Sequence, residues 1–163
     1  MAMDAASPAD AAVTGGAPPA PQRVLRLNPP ALFDATPFGY TQLAVDTETR
    51  VAHFSGLTSM DMAAEVVGTT LSEQLPLARA ALNAALVAVG ATPADLLKVT
   101  VFVVNYSDAD MPAIVENGRA LGYPPSTLVG VAALALPALR VELDATATVT
   151  AEAVERLRKG GDL

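Results

Sequence analysis

The stretch RVELDATATVT, Arg140–Thr150, alternates in character along its length. In an extended chain Arg140, Glu142, Asp144, Thr146 and Thr148 fall on one face, and Val141, Leu143, Ala145, Ala147 and Val149 on the other. A period of two is the mark of a strand that buries one face; a helix would scatter these residues around its axis. The apolar face needs a cover. The polar face carries three ionisable groups in succession, so it is either open to water or buried against another subunit.

The cover is written upstream. Leu71, Leu75, Ala78, Leu82, Leu86 and Val89 recur at steps of four and three, which is one face of a helix. Thr70 followed by Glu73 predicts a capping box, and Gly90 stands where a left-handed C-terminal cap belongs. Pro76 falls early in this helix and either bends it or marks a later start. Asp108–Leu121 reads as a second, weaker helix limited by Gly118 and Gly122.

The remaining strands are LLKVTVFVVN, Leu96–Asn105, which is Val-rich, and Ser126–Ala132. Tyr40–Val45 and Arg50–Phe54 pair across the turn DTET. The resulting order, β-β-α-β-α-β-β, predicts an α+β fold with two helices on one face of a sheet. Residues 1–22 are mostly Ala, Pro, Gly and small polar residues and predict a disordered tail. Residues 23–150 form one domain. Residues 151–163 are a tail or a short helix that frays at Gly160–Gly161.

Composition narrows the function classes. Of 163 residues 52% are hydrophobic, enough for a core, and only 4% are aromatic, so that core rests on many small Ala and Val contacts. The formal charge is −7, with ten Lys and Arg against seventeen Asp and Glu. Phosphate recognition needs a dense basic surface, and the one basic run, ERLRK at Glu155–Lys159, reads as a solvated end; no nucleic-acid partner is expected. The absence of Cys excludes disulfides and thiolate chemistry, and one His excludes a multi-His zinc site. No Ca²⁺-loop spacing and no Gly-rich phosphate cradle occurs, so no metal is expected. The first residues carry acids where a secretory signal needs a positive start, and Pro and charges interrupt every long apolar run. The expectation is a cytoplasmic protein without a membrane partner.

Few side chains offer chemistry. Glu142, on the polar strand face, serves as a general acid or base if burial raises its pKa; otherwise it is a solvated strand residue beside Arg140. Tyr40, at a strand start, either orients a ligand through its hydroxyl or packs at an edge. Ser55–Gly56 ends a strand, where Gly lets a backbone amide approach a ligand, or simply makes a turn. His53 and Ser55 share a strand face and form either a proton-transfer pair or ordinary packing.

Taken in order, NPPALFDATPFGYTQLAV (Asn28–Val45), FSG (Phe54–Gly56), AEVVGTTLSEQ (Ala64–Gln74), AVGATPADLLKVTVFVVN (Ala88–Asn105), PPSTLVGVAAL (Pro124–Leu134) and VELDATA (Val141–Ala147) resemble the RidA family, also called YjgF/YER057c/UK114. The resemblance implies a chorismate-mutase-like fold. It also implies a homotrimer whose sheets form an inner barrel, with a ligand pocket at each subunit interface. Well-studied members hydrolyse reactive enamines and imines such as 2-aminoacrylate to a carbonyl compound and ammonia, without metal or organic cofactor. Others act on 2-aminomuconate.

Carried onto this chain, the resemblance implies catalytic roles for Glu142 and Tyr40. It implies substrate contacts from Ser55, Gly56, Ser126 and Thr127. The deaminases grip a substrate carboxylate with an arginine just before the Ser or Thr of the Pro124–Ala132 segment; this chain has Pro125 or Ser126 there. Losing a bidentate guanidinium weakens binding of an anion by tens-fold or more, on the order of 2–3 kcal/mol. The chain thus resembles an arginine-lacking branch, with Arg140 or His53 as possible replacements. A 2-iminobutanoate/2-iminopropanoate-type or 2-aminomuconate-type deaminase with an atypical substrate is one expectation. A non-catalytic small-molecule-binding trimer is the other. The endoribonuclease activity in the family's older name fits poorly with a charge of −7.

Overall fold

A computed structural model describes residues 22–160. Six strands form one sheet: β1 (Val24–Leu27), β2 (Leu43–Asp46), β3 (Val51–Leu57), β4 (Leu96–Val104), β5 (Ser126–Val131) and β6 (Val141–Thr148). Three helices accompany them, α1 (Leu71–Ala88), α2 (Met111–Ala120) and α3 (Ala151–Arg158). The sheet order is β1-β2-β3-β6-β4-β5. Neighbours are antiparallel except β4 and β5, which are parallel and joined through α2. Strands β3 and β4 both run antiparallel to β6, so β6 lies between the two strands that α1 connects.

That central position explains the alternation of Arg140–Thr150. Val141, Leu143, Ala145 and Ala147 are buried beneath the helices, while Glu142, Asp144, Thr146 and Thr148 occupy the outer face. Leu71, Leu75, Ala78, Leu82, Leu86 and Val89 of the α1 segment are all buried against them. Each fully buried Leu there is worth about 2 kcal/mol of removed apolar surface. The capping box forms: the Thr70 hydroxyl accepts from the Glu73 amide at 3.3 Å, and the Glu73 carboxylate accepts from the Thr70 amide at 3.0 Å. Gly90 follows the helix with φ +70°. Pro76 does not delay the start; α1 begins at Leu71 and runs through it, with the proline exposed.

One element departs from expectation, and the C-terminal segment takes the helical of its two expected forms. Strand β1 is a sixth strand, pairing antiparallel with β2; VLRL is too short for its periodicity to stand out. The C-terminal segment is a helix, α3, capped by the Thr150 hydroxyl on the Ala153 amide at 3.1 Å, and Val154 and Leu157 belong to the main core. The expected tail of residues 1–22 lies outside the described residues, apart from Gln22. No helix among the described residues is long and apolar enough to cross a membrane.

Candidate functional site

The outer face of the sheet carries a cavity of about 430 Å³ around Glu142, the size range of small-ligand sites. Tyr40, Gly56 and Thr58 contribute to it, with Phe38, Met60, Ala135, Leu136 and Leu139 as apolar walls. A neighbouring hollow of about 590 Å³ shares Tyr40 and is lined by Arg26, Thr36, Thr41 and Ser55.

Tyr40 is placed by a short polar network. The Asp34 carboxylate accepts from the Thr36 amide at 2.9 Å, and the Asn28 side-chain amide donates to Thr36 Oγ1 at 3.0 Å. Asn28 Oδ1 in turn accepts from the Gln42 amide at 2.9 Å. A 3₁₀ turn over Thr36–Phe38 follows, ended by Gly39 at φ +85°, which delivers Phe38 and Tyr40 to the cavity wall. Phe33 and Phe38 meet edge to face with centroids 6.0 Å apart, bracing the turn.

Ser55 and Gly56 form a β-bulge. Phe54 pairs with Ala145 and Leu57 with Leu143, so two residues of β3 face Asp144 alone on β6. The bulge turns the Ser55 hydroxyl away from the cavity, to donate to the Thr41 carbonyl at 2.6 Å. It also brings the Gly56 backbone against Glu142. A β-carbon at Gly56 would overlap the Glu142 carboxyl carbon and Oε1 and lie 2.8 Å from Cγ.

Glu142 itself is half-buried. Burial pushes its carboxyl pKa up, and the charge of Asp144 on the same face adds to the rise. Burial likewise raises the Tyr40 hydroxyl, with a further contribution from Glu142. A carboxyl with a raised pKa in a mostly apolar cavity holds and passes a proton near neutral pH better than an exposed one.

The other residues singled out in the sequence are dispersed. Thr127 shares the outer face with Glu142, but the ladder runs Glu142–Phe102–Val129, leaving Thr127 two strands over and two residues along, about 12 Å away. Its hydroxyl accepts from Lys98 Nζ. Ser126 pairs with buried Val99 and so lies on the helix side of the sheet, its hydroxyl donating to the Pro124 carbonyl at 2.9 Å. His53 pairs with Thr146, four residues along β6 and about 14 Å from Glu142. Arg140 donates from its backbone to Gln74 Oε1 at 2.7 Å and from Nε to the Val104 carbonyl at 3.3 Å. Among the described residues Arg140 makes no ion pair with Glu142 or Asp144.

Sequence reading missed the apolar walls. Phe38 and Met60 sit in loops, and Ala135–Leu139 looks like the uncharged end of a strand; nothing in their spacing marks a ligand. It also missed Gln74, which is fully buried within α1. Its side-chain amide donates to the Gly68 carbonyl at 2.9 Å and the Ala138 carbonyl at 2.8 Å while its oxygen holds Arg140. A polar residue inside an otherwise apolar helical face was the available signal.

Comparison with known proteins places this geometry. A solved member of the conserved Rid protein family from Yersinia pestis, itself of unknown function, is 32% identical, with 78% of this chain and 100% of that one covered and a TM-score of 0.59. A Pseudomonas aeruginosa protein of unknown function is 26% identical over 77% of this chain and 92% of its own, with a TM-score of 0.63. A YjgF/YER057c/UK114 member from Mycobacterium tuberculosis, 23% identical over 77% and 99%, shares the fold with a TM-score of 0.62. No curated protein matches. The family model described as Endoribonuclease L-PSP matches residues 34–149, which hold the whole Glu142 cavity, and the chain belongs to that family, the Rid proteins.

Proposed function

We propose that the protein hydrolyses a small reactive enamine or imine to a carbonyl compound and ammonia, with an atypical substrate. The observation that carries this reading is the half-buried Glu142 carboxyl, its pKa raised, set against the Gly56 backbone in a mostly apolar cavity. An enamine takes a proton on carbon and becomes an imine, to which water then adds. One carboxyl group with a raised pKa serves both proton transfers. Tyr40, which lines the same cavity, orients the ligand.

The reading includes a homotrimer with the cavity at each subunit interface. Support comes from the separation of Thr127 from Glu142 on the same outer face within one chain, since Thr127 reaches a shared site only from a second copy. The uncovered outer face, where Phe102 and Val129 lie beside Glu142, agrees with this.

A second reading, a non-catalytic binding trimer, is favoured by the lack, among the described residues of one chain, of a cation lining the Glu142 cavity. RNA cleavage is not favoured: the charge is −7, and His53 stands about 14 Å from Glu142.

The test is ammonia release from a panel generated in situ, including 2-aminoacrylate, 2-aminomuconate and a carboxylate-free imine, for wild type and Glu142→Ala. Acceleration that depends on Glu142 on any member supports hydrolysis. No acceleration over buffer on the whole panel, with saturable binding retained, replaces it with the binding reading.

A further inference from the structure

We infer that Lys98 of a neighbouring copy is the cation of the Glu142 cavity and holds a carboxylate of the substrate there. The inference rests on the hydrolysis and the trimer proposed above, and it names the residue that selects the substrate.

Within one chain the cavity's ionisable groups, Glu142 and Tyr40, are both acids, and Asp144 adds a third on the same sheet face. Cross-strand partners share a face, so Lys98, opposite Thr146, lies on that outer face too. It is half-buried and, among the described residues, makes no ion pair. Its own chain keeps it from Glu142. It lies one strand over and four residues along, about 14 Å away. Its Nζ donates to Thr127 Oγ1 on β5, on the side of β4 that faces away from β6. The other cations nearby are directed elsewhere: Arg140 Nε donates to the Val104 carbonyl, and Arg26 lines the separate hollow beyond Tyr40.

A neighbour that brings Thr127 to Glu142 therefore brings Lys98 with it. Phe102 and Val129 stand in the same row as Glu142, so a contact over this face excludes water. An ammonium carried into such a contact needs an anion. Thr127 accepts one of its three hydrogens and leaves two for an incoming carboxylate. Glu142 is not that anion in the proposed reaction, because a direct pair with Lys98 would hold the carboxyl ionised and take away the proton it supplies. The substrate then lies across the cavity as a dipole, its iminium toward Glu142 and its carboxylate toward Lys98. Lysine is a point charge on a flexible stem, so it orients the ligand without the fixed geometry of a guanidinium fork. Lys98 takes no part in the bond changes.

A matched pair of substrates tests this. A flavin amine oxidase acting on butylamine makes an imine that differs from the one an amino-acid oxidase makes from norvaline only in lacking the carboxylate. Wild type should accelerate the norvaline-derived imine by about tenfold or more over the other. Lys98→Met should remove that preference through KM, with the trimer mass unchanged by light scattering, and Lys98→Arg should keep it. Co-expressing Lys98→Met with Glu142→Ala tests where the cation comes from. Each variant alone lacks a complete site. Mixed trimers join the Glu142 of one copy to the Lys98 of the next and should regain about a quarter of wild-type turnover of the norvaline-derived imine.

Equal turnover of the two imines by wild type, or a preference that survives Lys98→Met, overturns the inference while leaving hydrolysis standing. So does a mixture no more active than the separate variants, which would put the anchor in the same chain as Glu142. If Lys98→Met disperses the trimer, Lys98→Gln, which still donates to Thr127, takes its place; dispersal by both makes Lys98 an interface residue and overturns its role at the substrate. A wild-type monomer overturns the inference together with the assembly it rests on. If neither imine is accelerated, hydrolysis fails, and binding decides the anchor separately. Saturable binding of the norvaline-derived keto acid but not of butyramide, abolished by Lys98→Met, supports it. Binding of both or of neither overturns it.

Discussion

The Glu142 carboxyl occupies the space that a side chain at Gly56 would need: a β-carbon there would overlap it. The seat of the carboxyl therefore depends on the absence of a side chain at Gly56. Gly56→Ala forces the flexible end of Glu142 away and leaves the strand pairing intact, so the fold should survive while the carboxyl leaves its seat. The expected result is about a 100-fold loss of Glu142-dependent turnover with little change in melting temperature. Adding Glu142→Ala to Gly56→Ala should cost nothing more, since both remove the same positioned group. Full activity in Gly56→Ala would mean that the carboxyl acts from another position.

Two carboxylates should shape the pH dependence of stability with opposite signs. Glu142 holds its proton more tightly folded than unfolded, because burial and then Asp144 raise its pKa above 4.5. As pH climbs from there through the folded value, the native state binds more protons than the unfolded chain, so stability falls. Glu142→Gln should remove that fall and gain on wild type over the same range. Glu73 is the reverse case. The Thr69 and Thr70 amides hold it down to about 2, so its contribution is complete above 4.5 and lost as pH falls toward 2. Glu73→Gln should flatten this acid-side loss. Urea denaturation at a series of pH values separates the two, and a Glu142→Gln profile parallel to wild type would contradict a desolvated carboxyl.

The frame of the fold was legible because its central elements carry strong periods. Arg140–Thr150 alternates because β6 has one face beneath helices, and Leu71–Val89 repeats because α1 is the helix above it. Strand β1 was not legible: four residues at an edge put only two, Leu25 and Leu27, against the core, too few to define a period. Glu142, Tyr40 and Gly56 were legible as single candidates, but their meeting depends on a bulge in β3, which shifts register without a sequence signature beyond Gly56 itself. The Phe38, Met60 and Leu136 walls come from loops, where side-chain direction follows no period at all.

Gln74 ties α1 to both the Gly68 loop and the chain leading into β6. It is fully buried and uses its side-chain oxygen and nitrogen in three hydrogen bonds. Gln74→Met keeps the volume but leaves the Arg140 amide and the Ala138 carbonyl without partners. The expected cost is about 2–4 kcal/mol in denaturant unfolding. Because Leu136 and Leu139 belong to the released segment, the cavity should loosen as well, raising KM more than it lowers kcat. A change under about 0.5 kcal/mol would show that water replaces the amide.

The outer sheet face offers the clearest check on the proposed assembly. Val129, Phe102 and Glu142 stand in one cross-strand row, and Thr127 and Thr100 in the next. None of the three helices' main core contacts reaches this face, since Val141, Leu143 and Ala145 of β6 point the other way. Val129→Asp places a charge where a neighbouring copy would exclude water, at a cost of several kcal/mol to association but little to the isolated subunit. Light scattering should then show wild type at three times the chain mass and the variant at one. Turnover should fall with the mass, because Thr127 can approach Glu142 only from another chain. A variant that remains trimeric would move the interface elsewhere, and a wild-type monomer would leave the Glu142 cavity to act on its own.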